Sequence, residues 1–266
     1  MGSATREAVA SSKRALASFA SGTLSVSSAE DLFQAGRVIG ESVQLRSFLT
    51  DPSNLPEEKK AFVDALFGRE LGAEALSLLT VLVQANWSTS DDLLAGIEEI
   101  ALRVAAITTP AGVSVENELF EFGTIVSSNA ELELALNSTV GSQAAKLGLV
   151  NALLSGKAAE QTVVIVRHLV HQPRGRRIAE LLSNAASIVA DQSNLSIATV
   201  TSAATITSEH LTRLQNGLAR RYGRQFTINQ VIDPGLLGGL RVQVGDEVID
   251  GSIEKRINEL RLQLAG

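Results

Sequence analysis

Apolar and polar positions alternate most clearly near the C-terminal end of the chain, in residues 225–256. Residues 226–232 (FTINQVI) and 240–244 (LRVQV) each have the pattern of a strand with one buried face. Between them, the DPG sequence at 233–235 predicts a tight turn, because proline presets φ and glycine tolerates positive φ. We therefore expect the second strand to return beside the first as a hairpin.

A second turn and the start of a helix follow these strands. Gly245-Asp246 is a turn signal, residues 248–249 form a short apolar run, and the DGS sequence at 250–252 offers candidate helix caps. The helix predicted beyond the caps carries one apolar stripe, formed by Ile253, Ile257, Leu260 and Leu264. This region is predicted to be a small α/β unit without a catalytic side chain at its turns.

Upstream of this unit, apolar residues recur at helical spacing, and turn or cap residues separate the helices. We predict a first helix from Thr5 to Ser21, a second capped by Ser28, a third over 45–50, a fourth with Pro56 in its first turn, a fifth over 72–85 and a sixth capped by Ser90. The connections are short, which is typical of a compact antiparallel bundle.

The helical pattern occurs twice in the chain. Residues 29–84 align with residues 116–171 without a gap at an offset of 87, and the agreement continues after one inserted residue. Lys59, for example, falls on Lys146. Most matched positions are apolar, so chance alignment of two amphipathic bundles is the alternative to a true duplication.

Composition agrees with several small helical domains. The chain has 266 residues, no cysteine and only 4% aromatic residues, as helix bundles often do. Without cysteine, disulfides and thiolate metal sites are excluded. We predict a mainly α fold in three domains: a six-helix bundle at 1–108, a repeat of it at 109–195 and a small C-terminal α/β domain at 196–266.

Charge and hydropathy restrict the possible partners. The formal net charge of −6 argues against nucleic acid as the main partner. The first 20 residues mix charges into an amphipathic pattern, and the longest apolar run, 162–170, is interrupted by Arg167 and His168. We therefore expect a cytoplasmic protein without direct membrane insertion, whose membrane association comes from a partner.

The histidines are the candidates for metal binding or proton transfer. His168 and His171 lie three positions apart on a predicted helix, and His210 stands alone. No carboxylate motif accompanies the pair and several arginines lie nearby, which favours a surface or helix-end position over a metal site. The carboxylate pairs Asp91-Asp92 and Glu98-Glu99 are interpreted as a solvated helix face.

Other conspicuous residues also have structural interpretations. Burial of Trp87 in the bundle is favoured over a role as a docking anchor. The cluster of Arg220, Arg221 and Arg224 is typical of a helix C-terminus rather than of an RNA-binding module. The glycines after residue 234 do not form a phosphate loop, and no nucleophile elbow is present. We predict no catalytic residues, no cofactor and no metal.

The order of motifs in residues 225–256 resembles the C-terminal signature of the δ subunit of bacterial F-type ATP synthase, the counterpart of mitochondrial oligomycin-sensitivity-conferring protein. The shared motifs are hydrophobic-Asp, Gly-Gly-hydrophobic, Gly-Asp and Val-Ile-Asp-Gly-Ser. Residues 15–20 (ALASFA) and 45–67 are similar to the family's N-terminal six-helix domain, although Ser12 stands where many members have tyrosine. The interposed second bundle resembles the long actinobacterial form of the subunit.

The resemblance implies a non-catalytic connector in the peripheral stalk, at the cytoplasmic face of the plasma membrane, which links the α/β catalytic head to the b-subunit stalk and resists rotary torque. It implies that N-terminal helices of the α subunits bind a groove between the first and fifth helices, and that the b subunit binds the C-terminal part. The groove maps onto Leu16, Phe19, Leu78, Leu79, Leu82 and Val83, some of which must face the core instead. The b-subunit contact maps onto the stripe of Ile253, Ile257, Leu260 and Leu264.

Two questions stay open at the level of sequence. The second bundle is either a spacer or a second site for a partner helix. The alternative to the connector as a whole is a helical scaffold or regulatory protein unrelated to ATP synthase.

Overall fold

The computed structural model describes residues 2–20, 22–138, 142–193, 195–223, 225–236, 238–244 and 247–251. The chain divides into two compact units, Met1–Val189 and Ala190–Gly266. The first is helical and the second contains a small sheet, which confirms the predicted fold class. The predicted boundary at residue 108 lies inside the first unit, so the division of the helical part into two domains stays a prediction.

The described helices of the helical part are 8 to 18 residues long. They are α1 (Ser3–Ala17), α2 (Val26–Glu41), α3 (Val43–Thr50), α4 (Pro56–Phe67), α5 (Ala73–Gln84), α6 (Ser90–Ile107), α7 (Val115–Ser128), α8 (Ala130–Asn137), α9 (Gln143–Leu154), α10 (Glu160–His171) and α11 (Ile178–Gln192).

Some of the predicted helix starts agree with the structure, and others are displaced by a few residues. Pro56 occupies the first helical position of α4, as predicted. Ser28 and Ser90 are not the caps, because the residues with extended backbone lie just upstream: Ser25 precedes α2, and the hydroxyl of Thr89 accepts the Asp92 N–H at 3.1 Å. The first helix ends at Ala17, four residues before the predicted end.

The internal repeat is present in the structure. Helices α3, α4 and α5 recur as α8, α9 and α10, whose first and last residues all lie 87 positions further along the chain. The start of α11 lies 88 positions after that of α6, as the one inserted residue requires. The matched residues Lys59 and Lys146 are both buried. Chance alignment would not reproduce helix bounds in this way.

The two copies share one helix. The first residue of α6, Ser90, lies 87 positions after the first residue of α1, Ser3. Helix α1 packs against α5, and α6 packs against α10, the repeat of α5. Helix α6 is therefore the last helix of the first copy and takes the place of the first helix in the second.

The C-terminal unit is a four-stranded sheet with one helix in its described residues. Its elements are β1 (Leu195–Ser202), α12 (Ser208–Tyr222), β2 (Gln225–Ile232), β3 (Leu240–Val244) and β4 (Glu247–Asp250). Phe226 lies in the core of this unit, packed with apolar side chains from α12 and the other strands.

The strand order is β2-β1-β3-β4, so the predicted hairpin between β2 and β3 is wrong. Strand β1 lies between them, parallel to β2 and antiparallel to β3. Because β1, α12 and β2 form a crossover unit with parallel strands, β3 pairs with the other edge of β1. The Asp233 N–H donates to the Ser202 carbonyl oxygen at 2.9 Å, where the connection from β2 leaves the sheet.

The second predicted turn, at Gly245-Asp246, lies outside the described residues, but the strands on either side of it pair. Strands β3 and β4 are antiparallel, with Val244 opposite Glu247 across the Gly245-Asp246 position. The predicted C-terminal helix is in residues 252–266, outside the described residues. The same applies to the proposed b-subunit stripe of Ile253, Ile257, Leu260 and Leu264.

Candidate functional site

A surface groove lies where the C-terminal end of α1 and the segment after it meet α5. It encloses about 320 Å³ and is lined by small and apolar side chains, among them Ala15, Phe19, Thr23, Ser77, Leu78 and Val81. Ser77 and Val81 lie four positions apart on the outward stripe of α5, so their side chains are neighbours on one helix face. The site is therefore a groove of mixed apolar and hydroxyl-bearing side chains, and its described lining contains no charged side chain.

Most of the six residues proposed for this groove lie inside the bundle rather than at its surface. Five are buried in the bundle itself: Leu16, Leu78, Leu79, Leu82 and Val83. Leu78 forms part of the groove floor, and Phe19 is half-buried in its wall. The assignment of these residues to a partner-binding groove, which the family resemblance implied, stays a prediction; Ser77 and Val81, which line the groove, were not among them.

Trp87 lies in the connection between α5 and α6, and its side chain is buried. Its side chain is 6% exposed, and its Nε1–H donates to the Leu82 carbonyl oxygen at 2.7 Å. Gly96 of α6 leaves room for the ring, since a Cβ there would lie 2.1 Å from Trp87 Cη2. The interpretation of Trp87 as a buried core residue is confirmed.

The equivalent groove of the second copy, between α6 and α10, is filled. The positions 87 residues after Ala15, Ser77, Leu78 and Val81 are all buried: Leu102, Val164, Ile165 and His168. Helix α2 packs against both α6 and α10, and its Phe33 lies beside Val164 and His168. Phe33 of α2 stacks on the His168 ring with centroids 4.0 Å apart. The chain thus places one of its own amphipathic helices where the first copy has an open groove.

A buried ionic cluster joins the two copies beside this filled groove. Glu98 of α6 is 6% exposed and accepts from Arg174 at 2.5 Å and from Arg176 at 3.0 Å. His168 Nε2 lies 3.5 Å from Glu98 Oε2, at the outer limit of a hydrogen bond. Arg174 has a positive φ of 49°, a strained conformation for a residue with a side chain.

These contacts correct two expectations. Glu98 is not on a solvated face, and His168 is buried at 4% exposure rather than at the surface, although it does lie in the last turn of α10. Burial alone would raise the pKa of Glu98, but His168, Arg174 and Arg176 together lower it to about 2. Burial lowers the pKa of His168, and the nearby Glu98 carboxylate only partly opposes this effect.

The neighbouring carboxylates are also engaged. Glu99 pairs with Lys13 and with Arg103, each at 2.9 Å, and Asp92 accepts from the Thr5 hydroxyl at 2.9 Å. The contacts of Lys13 and Thr5 tie α1 to α6. Asp91, the last of the four carboxylates predicted to form a solvated face, is exposed as predicted.

The basic residues at the end of α12 follow the helix-end interpretation. Arg220 and Arg221 lie in its last turn, and Gly223 ends the helix at a φ of 69°. Arg221 and Tyr222 both contact the Glu247 carboxylate, at 3.1 and 2.7 Å. Arg224 lies outside the described residues.

The described residues contain no group of three or more histidine, cysteine, aspartate or glutamate side chains placed to hold a metal ion. Within that same part of the chain, no helix is long and apolar enough to cross a membrane.

The fold and the groove define a protein built from duplicated helical bundles with a terminal α/β unit. Residues 13–91 and 100–264 match the family model described as ATP synthase delta (OSCP) subunit. The chain is 50% identical over 266 residues to the ATP synthase subunit delta of Leifsonia xyli subsp. xyli, with 100% of both chains covered. It is 38% identical over 271 residues to that of Streptomyces griseus subsp. griseus, again with 100% of both covered.

The chain belongs to the ATP synthase delta (OSCP) subunit family, which confirms the resemblance drawn from its C-terminal motifs. A chain of the Toxoplasma gondii mitochondrial ATP synthase hexamer is also similar, at 18% identity and a TM-score of 0.42, over 64% of this chain and 96% of that chain.

Proposed function

We propose that the protein is a non-catalytic connector in the peripheral stalk of an F-type ATP synthase. In this role it links the α/β catalytic head to the b-subunit stalk and resists the torque of rotation, as a peripheral subunit at the cytoplasmic face of the plasma membrane. Family membership over almost the whole chain carries the proposal. The open groove between α1 and α5 supports it, because such a groove suits a partner helix.

The helix that packs in the second-copy groove supports an amphipathic helix as the partner that we propose for the open groove. Helix α2, which fills it, is amphipathic and buries one stripe of residues: Ala29, Leu32, Phe33, Gly36 and Ile39. An N-terminal helix of an α subunit with a similar apolar stripe would bury comparable surface between α1 and α5 without leaving polar groups unpaired. Phe19 and Val81 are the proposed contacts at its rim.

The same comparison bears on the second copy. Since α2 occupies the groove between α6 and α10, that groove is closed to a partner helix. This favours a spacer over a second helix-binding site of the same kind. The ionic cluster around Glu98 ties α6 to the segment after α10. It therefore supports a spacer that is rigid.

Binding to purified α and b subunits tests the connector. Phe19→Asp places a charge in the uncharged groove and should weaken binding of the α subunit at least about tenfold, because the carboxylate loses water on binding without gaining a partner. Leu134→Asp, at a side chain 73% exposed on α8, is the matched control and should bind α normally. Both variants should bind b as the unchanged protein does.

Two outcomes would count against this proposal. If neither α nor b bound the unchanged protein, the connector role would be wrong. If Phe19→Asp bound α as tightly as Leu134→Asp does, the α1–α5 groove would not be the binding site.

A further inference from the structure

One exposed side of α4 carries large apolar residues. Phe62 and Leu66, which lie four positions apart and are therefore neighbours on one helix face, are 44% and 41% exposed. Leu55, two turns before Phe62, is 60% exposed, and Phe48 of α3 packs against Phe62 with ring centroids 5.1 Å apart. We call these four side chains the α3–α4 surface. Single exposed apolar residues are ordinary, whereas a group of them is typical of an interaction site.

The repeated unit folds without these residues. Helices α8 and α9 have the bounds of α3 and α4 shifted by 87 positions. Ser142 stands at the position equivalent to Leu55, and Ala135 at the position equivalent to Phe48. The other two equivalent positions hold leucines that are half-buried. The exposed apolar group therefore distinguishes the first copy and is not a requirement of the bundle.

The segment that forms the surface is also acidic. Residues 48–70 contain five carboxylates: Asp51, Glu57, Glu58, Asp64 and Glu70. Of the three basic residues in this segment, Lys59 is buried and Lys60 pairs with Asp64, which leaves Arg69. The equivalent segment of the second copy, residues 135–157, contains no carboxylate. Charge therefore separates the two copies at the same place as the apolar side chains do.

Two of the carboxylates are available to a partner. Glu57 lies in the first turn of α4, and Glu70 follows its last turn. Both are exposed, and within the described part of the chain neither makes an ion pair within 4.0 Å. Glu58, by contrast, accepts the Leu55 N–H at 3.1 Å. Exposed apolar side chains near unpaired carboxylates are complementary to a partner that is both apolar and positively charged.

We propose that the α3–α4 surface docks an amphipathic helix of another subunit in the assembled ATP synthase, with lysine or arginine beside its apolar stripe. The 11 positions from Leu55 to Leu66 span about 16 Å, the length of three turns of a partner helix. Phe62 and Leu66 pack against the apolar stripe of that helix, and its cations face Glu57 and Glu70. This docking goes beyond the connector role and uses none of the residues that line the α1–α5 groove.

Cysteine labelling tests the proposal, because the chain has no cysteine of its own. Ala65, three positions after Phe62, and its equivalent Ala152 in the second copy are both exposed. Each is changed to cysteine, and the rate of maleimide labelling is measured in the free chain and in ATP synthase purified with that variant. We expect assembly to slow the labelling of Ala65→Cys at least about tenfold, because a packed interface excludes the reagent, and that of Ala152→Cys less than about twofold.

Charge reversal tests the chemistry of the partner. In the Ala65→Cys chain, Glu57→Lys should speed labelling of the assembled complex at least about threefold, because it sets a cation against the cations of the partner helix. Raised salt should act in the same direction. Glu121→Lys, at an exposed carboxylate of α7, is the matched control and should leave the protection unchanged.

Three results would overturn the proposal. The first is equal labelling of Ala65→Cys in the free and assembled chain. The second is protection that Glu57→Lys and Glu121→Lys leave equally intact, since the partner would then not be basic. The third is protection that appears in the free chain as its concentration rises, which would assign the surface to a second copy of this chain. None of these results depends on the α1–α5 groove, which Phe19→Asp tests separately.

Discussion

The Glu98 carboxylate stays ionised inside the helical unit because charged and polar groups from the other copy surround it. Arg174, Arg176 and His168 together outweigh the desolvation that burial imposes, and the pKa of Glu98 is about 2. A buried charge with partners is costly to make, but it is far more costly to remove one partner from it. This residue is therefore a sensitive point in the junction between the copies.

The depressed pKa of Glu98 gives stability a defined pH dependence. Because the folded pKa lies below the ordinary value of 4.5, the contribution is complete above pH 4.5 and is lost as pH falls towards about 2. Glu98→Gln should lower the free energy of unfolding at pH 7 by about 2–4 kcal/mol, and it should remove this acid-dependent loss. Urea unfolding at pH 7 and pH 3 measures both effects.

The matched control for this change is Glu121→Gln, at an exposed carboxylate on α7. It should alter the free energy of unfolding by only a few tenths of a kcal/mol, as surface substitutions usually do. Equal effects of Glu98→Gln and Glu121→Gln at pH 7 would refute the account of the ionic cluster.

At the residue scale, the sequence predicts the position of a side chain well when burial alone determines it. Trp87 was expected in the core and lies there, because a large apolar ring gains most from burial. Glu98 and His168 were misassigned, since the arginine partners of Glu98 arrive from the segment after α10 and His168 is covered by Phe33 of α2. No helical period places those arginines opposite α6, so only the tertiary structure reveals the contact.

At the scale of elements, the duplication extends to how the helices are capped. Neither Gly72 before α5 nor Ala159 before α10 has a side chain that can cap its helix. In each copy a carboxylate from another helix accepts the N–H of that residue: Asp31 accepts from Gly72 at 2.7 Å, and Glu118 accepts from Ala159 at 3.0 Å. Asp31 and Glu118 are themselves 87 positions apart, so this contact is part of the repeated unit.

This capping predicts paired effects in the two copies. Asp31→Ala and Glu118→Ala should each lower the free energy of unfolding by about 0.5–2 kcal/mol, because each leaves a helix N-terminus without its acceptor and without a favourable charge. Thermal or urea unfolding of the two variants, beside Glu121→Ala as the exposed control, measures the effect. A change in one copy with no change in the other would contradict the structural equivalence of the copies.

Element prediction from the sequence was good for the helices and incomplete for the sheet. Apolar spacing identified α1 to α6, and the offset of 87 predicted their repeats, because a buried stripe is a strong signal in a long helix. Strand β1 was missed, since its buried face carries the small residues Ala198 and Ser202 besides Val200. Without β1, the nearest partner for β2 was β3, and a hairpin followed wrongly.

At the scale of the whole molecule, two copies of one bundle have different surfaces. In the first copy the groove between α1 and α5 is open, and in the second the equivalent groove is covered by α2. Duplication with a shared helix therefore extends the helical unit while leaving one groove of this kind accessible. For the connector role that we propose, one accessible groove would avoid competition between two identical grooves for the same partner helix.

The most direct test of the connector uses the absence of cysteine from the chain. Val81→Cys introduces a single thiol at the rim of the α1–α5 groove, and Leu134→Cys introduces one on the exposed face of α8 as the control. Each variant is assembled with α subunits that carry one cysteine in the N-terminal helix, and disulfide formation is measured. We predict a cross-link to α from position 81 and none from position 134; no cross-link from position 81, or equal cross-linking from both, would contradict the account.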